Sequence, residues 1–142
     1  MTPISGIHEL IRAEIDDLHD KAQAAAQAIW DQKELNVQGG VAHYAHVRRR
    51  GIAFEITWKA RRFYKRTDGS WTCFDKHVPL GSNSTLTNRQ LANFNPSDRA
   101  LAVEAEKTLK PIRERLGVLR RLSKIVKAYE RRLENQQLPG GN

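Results

Sequence analysis

The chain has a single cysteine, Cys73, among its 142 residues, which excludes an intramolecular disulfide and a cysteine-rich zinc module. No apolar run approaches the roughly 20 residues that a membrane span needs. There is no signal-peptide pattern either, because Ile4, Ile7 and Leu10 are mixed with His8, Glu9 and Arg12. A reducing cytosol is the expected compartment, with no membrane association. Glycine-rich phosphate loops, zinc-ligand spacings and serine elbows are all missing. Cys73, Asp75 and His77 share parity on an extended segment, so a Cys–His pair is geometrically conceivable; a lone thiol on a hairpin is ordinarily a small core residue. His43 and His46 are three apart, which sets them on opposite faces of a strand. His8 and His19 lie on a helix without carboxylates at ligand spacing. The expectation is therefore no enzyme, no catalytic residue, no metal and no cofactor.

What the sequence does contain is positive charge, unevenly placed. The formal net charge is +8. Segment 48–66 carries Arg48, Arg49, Arg50, Lys59, Arg61, Arg62, Lys65 and Arg66 against the single acid Glu55. Segment 110–132 carries Lys110, Arg113, Arg115, Arg120, Arg121, Lys124, Lys127, Arg131 and Arg132 against Glu114 and Glu130. A uniform solubility coat would not divide this way. Two cationic surfaces on a rigid scaffold suit a polyphosphate partner, because each neutralised phosphate releases condensed counterions. Nucleic acid is the leading partner, expected here as double-stranded DNA.

The chain length suits one domain over 1–137. Hydrophobic periodicity predicts an α+β fold in which two long helices pack with a small antiparallel three-stranded β-meander. The first helix, 4–36, places Ile4, His8, Ile11, Ile15, Leu18, Ala22, Ala25 and Ile29 at alternating spacings of four and three, a coiled-coil-like seam. Thr2-Pro3 or Ser5 can cap it, and it should stop before Gly39-Gly40. Its acids outnumber its bases, so it should repel phosphate. From Val41 the period becomes two: Phe54, Ile56, Trp58 and Ala60 alternate with Glu55, Thr57, Lys59 and Arg61. The meander spans 41–75, with a turn at Arg50-Gly51, a bulge where the alternation slips at Arg61-Arg62-Phe63-Tyr64, and a two-residue hairpin at Asp68-Gly69. Residues 76–95 read as a loop, with a short helix from Asn88 to Phe94. Asn95-Pro96 caps a final helix over 96–136, kinked where Pro111 removes a hydrogen bond. The tail 138–142 should be disordered. The economical arrangement is an antiparallel helix pair bracketing the meander, with excess seam buried in a homodimer.

For the sheet cations Arg48, Arg49, Arg50, Lys59, Arg61, Arg62, Lys65 and Arg66 two readings stand: phosphate contacts, or a solvated face whose edge charges prevent aggregation. The helical Arg120, Arg121 and Lys124 are contacts or an ordinary solvated face complementing the helix dipole. Trp58, Phe63, Tyr64, Trp71 and Phe74 invite a base-stacking reading of the single-strand type, but period-two placement makes most of them core residues, with Tyr64, among the arginines, the exception and a candidate contact. A protein–protein adaptor that recognises an acidic partner through the same charges is the alternative function.

Ile56-Thr57-Trp58, the stretch Trp71-Thr72-Cys73-Phe74-Asp75 with Lys76-His77-Val78-Pro79 after it, and a last helix with Glu104, Glu106, Ile112-Arg113 and Leu122-Ser123-Lys124-Ile125 together resemble the MobI-type conjugative transfer proteins. Leu80 departs from that pattern, standing where a basic residue is expected. The resemblance implies an accessory factor that binds the origin of transfer and aids assembly of the relaxase complex without itself nicking DNA. Lys76 and His77, which match the motif, become candidate contacts or members of a structured turn.

Overall fold

The computed structural model describes residues 3–32, 40–81 and 85–136. The elements run α1 (Pro3–Asp31), β1 (Val41–Arg50), β2 (Ala53–Lys65), β3 (Trp71–Val78), α2 (Asn88–Leu91) and α3 (Pro96–Gln136). This is the expected α+β class: two long helices and a three-stranded antiparallel sheet of order β1-β2-β3. The expected end of the first helix beyond Gln32, its Thr2 cap, Ser82 to Ser84 and the tail after Gln136 lie outside the described residues.

β2 is the central strand because it carries the cleanest alternation. Phe54, Ile56 and Trp58 are buried while Glu55, Thr57 and Lys59 between them are only partly covered. The register pairs Phe54 with Arg49, Ile56 with Val47, Trp58 with Ala45 and Ala60 with His43. Directly opposed residues share a face, so these define the helix-facing side. Both helices lie against it rather than on either side of the sheet. His19 of α1 meets the Phe54 ring edge-on at 5.3 Å, and Trp58 Nε1 donates to Glu106 of α3 at 2.6 Å. Ile11, Ile15, Leu18, Ala22, Ala26 and Ile29 of α1 join Ala102, Leu109, Ile112 and Leu116 of α3 in the same core. A fully buried side chain of this size contributes about 1.5–3 kcal/mol.

The helices are antiparallel. His8 near the start of α1 contacts Glu130 near the end of α3, whereas Ile29 shares a groove with Leu101. α3 continues without interruption through Pro111. Its start is fixed by the expected cap: Asn95 Oδ1 accepts from the Asp98 N–H at 2.8 Å, and Asn95 O accepts the Arg99 N–H at 2.8 Å. Asp98 itself is buried and accepts the His43 N–H at 2.8 Å, so α3 closes part of the free edge of β1.

Both turns differ from expectation in detail. The first hairpin uses Gly51-Ile52, with Gly51 at φ 61°, and Ile52 therefore belongs to the turn. In the second, Arg66 O accepts from Gly69 N and Arg66 N donates to Ser70 O. The loop is thus the three residues Thr67-Asp68-Gly69, with Gly69 at φ 90°, the geometry of a turn followed by a left-handed residue. No bulge occurs at Arg61 to Tyr64: β2 keeps one register past Ala60 with both neighbours. β3 also runs to Val78, so Lys76 and His77 are strand residues rather than members of a turn.

Candidate nucleic-acid interface

The second sheet face is formed by Ala42, Tyr44, His46 and Arg48 of β1, Glu55, Thr57, Lys59, Arg61, Phe63 and Lys65 of β2, and Trp71, Cys73, Asp75 and His77 of β3. On this face Ala42 and Tyr44 are buried, with Trp30 near the end of α1 lying 4.9 Å from the Tyr44 ring, and the rest of the face is open, its residues partly or fully exposed. The sheet cations expected as one group are consequently divided. Arg48, Lys59, Arg61 and Lys65 share the open face. Arg50, at the last paired position, continues it. Arg49 and Arg62 belong to the helix-facing side, where Arg49 Nη2 binds Asp16 of α1 at 2.7 Å. Arg66 follows the strand and donates to Thr72 Oγ1 at 3.3 Å.

Several of these charges are already engaged. Arg61 donates from Nε to Asp75 Oδ1 at 2.7 Å and from Nη2 to Oδ2 at 3.0 Å, and its guanidinium stands over the Trp30 and Tyr44 rings at 5.4 and 5.1 Å. Tyr44 adds an O–H donor to Asp75 at 3.0 Å. Arg61 holds the Asp75 carboxyl below the usual carboxylate range, and burial followed by the Asp75 hydrogen bond pushes the Tyr44 phenol up. Arg50 pairs with Glu55 and lowers its carboxyl in turn. Arg48, Lys59 and Lys65 have no carboxylate partner among the described residues. From the Arg48–Glu55 rung to Lys65 is ten residues of β2, about 33 Å at the usual strand rise. His46 lies within this stripe, its imidazole pKa lowered by burial and by Lys59 and Arg48.

The helical cluster is not part of that surface. Arg120 Nη2 donates to Phe54 O at 2.7 Å, tethering α3 to β2. Lys124, one turn on, follows Arg120 on the same side of α3, and Arg121 is exposed on a neighbouring side. Arg113 forms a buried ion pair with Glu106, Nη1 to Oε2 at 2.8 Å. Trp58 completes that site, and a long-range contact of this kind leaves no signal in local charge patterning. Lys76 and His77 line a cleft of about 240 Å³ with Pro79, Gln90, Asn93 and Phe94.

Two aromatic expectations fail. Trp71 and Phe74 are exposed, at 50% and 61%: Trp71 lies on the face away from the helices, and Phe74, on the helix-facing side, stands where the pairing of β1 with β2 ends. Cys73 is exposed as well and is not a core thiol. Cys73, Asp75 and His77 do share a face, but Asp75 is held by Arg61 and Tyr44. Among the described residues no group of three His, Cys, Asp or Glu could hold a metal ion. No described helix is long and apolar enough to cross a membrane.

The family model for MobI protein matches residues 18–130, from the middle of α1 almost to the end of α3. The chain belongs to the MobI family, a family of accessory factors in conjugative mobilisation. No curated protein and no solved structure matches it.

Proposed function

We propose that the chain binds double-stranded DNA at an origin of transfer and helps assemble the relaxase complex in the cytoplasm, without cutting DNA itself. The observation that supports this reading most is the stripe of Arg48, Lys59 and Lys65 on the open sheet face, unpaired among the described residues. It extends about 33 Å, close to one turn of B-form duplex, so its cations can meet phosphates of successive groove crossings. Such contacts position the protein rather than read sequence. Electrophoretic mobility shift with random and origin-containing duplexes over a salt series tests it. A steep fall of affinity with salt is expected, and absence of any shift at low salt overturns the reading.

The same proposal includes a homodimer. Val118, Leu122, Ile125 and Tyr129 on α3 are exposed at spacings of four, three and four, and Leu10 of α1 is 73% exposed. A heptad-like seam of this kind suits an isologous helix contact, which would duplicate the basic face. Sedimentation velocity is expected to give a dimer that Ile125→Asp converts to monomer. A monomeric wild type would turn this seam toward the second reading, an adaptor that docks a helix of a different, acidic protein.

A further inference from the structure

The β2–β3 hairpin runs past the last pairing of β1, Val41 with Arg62, and ends in a two-stranded ribbon. On the helix-facing side Arg62 opposes Phe74 at the root of that ribbon, and Tyr64 opposes Thr72 within it. Tyr64 and Phe74 are therefore diagonal neighbours, about 7 Å apart. No helix reaches them: Tyr64 is 48% and Phe74 61% exposed. Arg62 and Lys76 flank the two rings on the same side, and neither has a carboxylate partner among the described residues. The acids closest in sequence are occupied or turned away. Asp68 Oδ1 accepts from Ser70 N and Oγ, and Asp75 lies on the other face with Arg61.

From this juxtaposition we infer that the ribbon binds single-stranded DNA, with unpaired bases stacked on Tyr64 and Phe74 and the flanking phosphates on Arg62 and Lys76. Two exposed π faces within a cationic border are what an unpaired strand offers partners for, since its bases have free faces and its backbone is anionic. A duplex keeps its base faces stacked inside, leaving the rings without a ligand. A second copy of this chain would set Arg62 and Lys76 against their own equivalents. The inference takes from the proposed DNA-binding role only the class of partner, and it assigns unpaired strand to a different face from the duplex stripe.

The test is fluorescence anisotropy with a labelled oligothymidylate of about 16 nucleotides and, separately, a random duplex of equal length. The proteins are wild type, the double variant Tyr64→Ala/Phe74→Ala, and the ring-preserving Tyr64→Phe/Phe74→Tyr. Oligothymidylate binding is expected to fall at least tenfold in the alanine variant, to persist in the ring-preserving one, and duplex binding to change less than twofold. Equal oligothymidylate affinity in all three proteins overturns the inference, as does a proportional loss of both ligands. Wild type that binds duplex but not oligothymidylate sinks this inference and leaves the duplex reading standing. Binding of oligothymidylate alone does the reverse. Capture of oligouridylate tenfold more tightly than oligothymidylate would overturn the assignment to DNA.

Discussion

Arg61 and Asp75 face each other across β2 and β3, joined by two hydrogen bonds of 2.7 and 3.0 Å. Tyr44 and Trp30 close over the pair, so the guanidinium ties the middle strand, the outer strand and the end of α1 together. Arg61→Ala is therefore expected to lower unfolding free energy by about 1–2 kcal/mol, toward the low end for hydrogen bonds to charged groups because the pair is partly solvated. Lys59→Ala, lacking such a partner, should leave stability nearly unchanged. The salt slope of duplex binding should in contrast lose about one contact, near 0.9, for Lys59→Ala. Urea titrations and binding isotherms on the two variants separate these roles; a stable Arg61→Ala protein would show that the pair does not hold the sheet.

The same pair predicts an acid dependence. Asp75 has its folded pKa lowered, chiefly by Arg61, so its contribution is present above the ordinary aspartate pKa and is lost as pH falls through the lowered folded value. Wild type should lose stability more steeply than Asp75→Asn below about pH 4. Parallel melting temperatures for the two proteins from pH 6 to pH 3 would contradict this.

Glu106 accepts from both Trp58 and Arg113 in a buried site. Removing it takes away the acceptor that a guanidinium and an indole N–H share. Glu106→Ala should cost about 3–5 kcal/mol, read as a lower urea midpoint with unchanged slope. A loss below about 1 kcal/mol would mean that water or another group replaces the carboxylate.

Asp98 links the first turn of α3 to the edge of β1 through the His43 N–H. In Asp98→Ala that amide should exchange with solvent faster than its neighbours in hydrogen-exchange NMR, and stability should fall by about 1–3 kcal/mol. Unaltered protection of the His43 amide would count against the link.

Phosphate lying along the stripe would favour the charged form of His46, whose imidazole pKa is lowered by burial and by Lys59 and Arg48. Duplex affinity should therefore rise as pH falls below about 6.5, and His46→Gln should flatten that rise. A pH-independent affinity in wild type would place the phosphates elsewhere.

The elements that face a buried layer were legible in the sequence. Period-two alternation marked β2 because one side of it meets the helices, and the Asn95-Pro96 cap marked α3 because its chemistry is local. Alternation reports which way a side chain points, however, and not how far the covering helices extend. Phe74 follows the strand period and still stands in solvent, since the ribbon outruns its support, and Trp71 has the parity of the face the helices do not cover. Lys76 and His77 read as a turn because Pro79 was near, while their pairing with Ala60 and Lys59 is a non-local fact. Arg113 looked like one more surface cation. Glu106, two helical turns earlier on the same face, was the available sign of its burial; the third member, Trp58, comes from a distant strand. Charge density likewise could not say that the sheet arginines divide between two faces.

α3 grips the sheet along its length, through Asp98 on His43, Glu106 on Trp58 and Arg120 on Phe54, the first and last separated by 22 residues or about 33 Å of helix. Fastened near both ends of the β1–β2 ladder, that ladder has little freedom to flex along its length, and the intervals between Arg48 and Lys59 are set before any ligand arrives. Much of the ordering entropy that a flexible basic tail would lose on meeting a polyanion is here already lost during folding. On the proposed role, a rigid spacing of this sort would discriminate among ligands by the pitch of their phosphates, independently of the bases they carry.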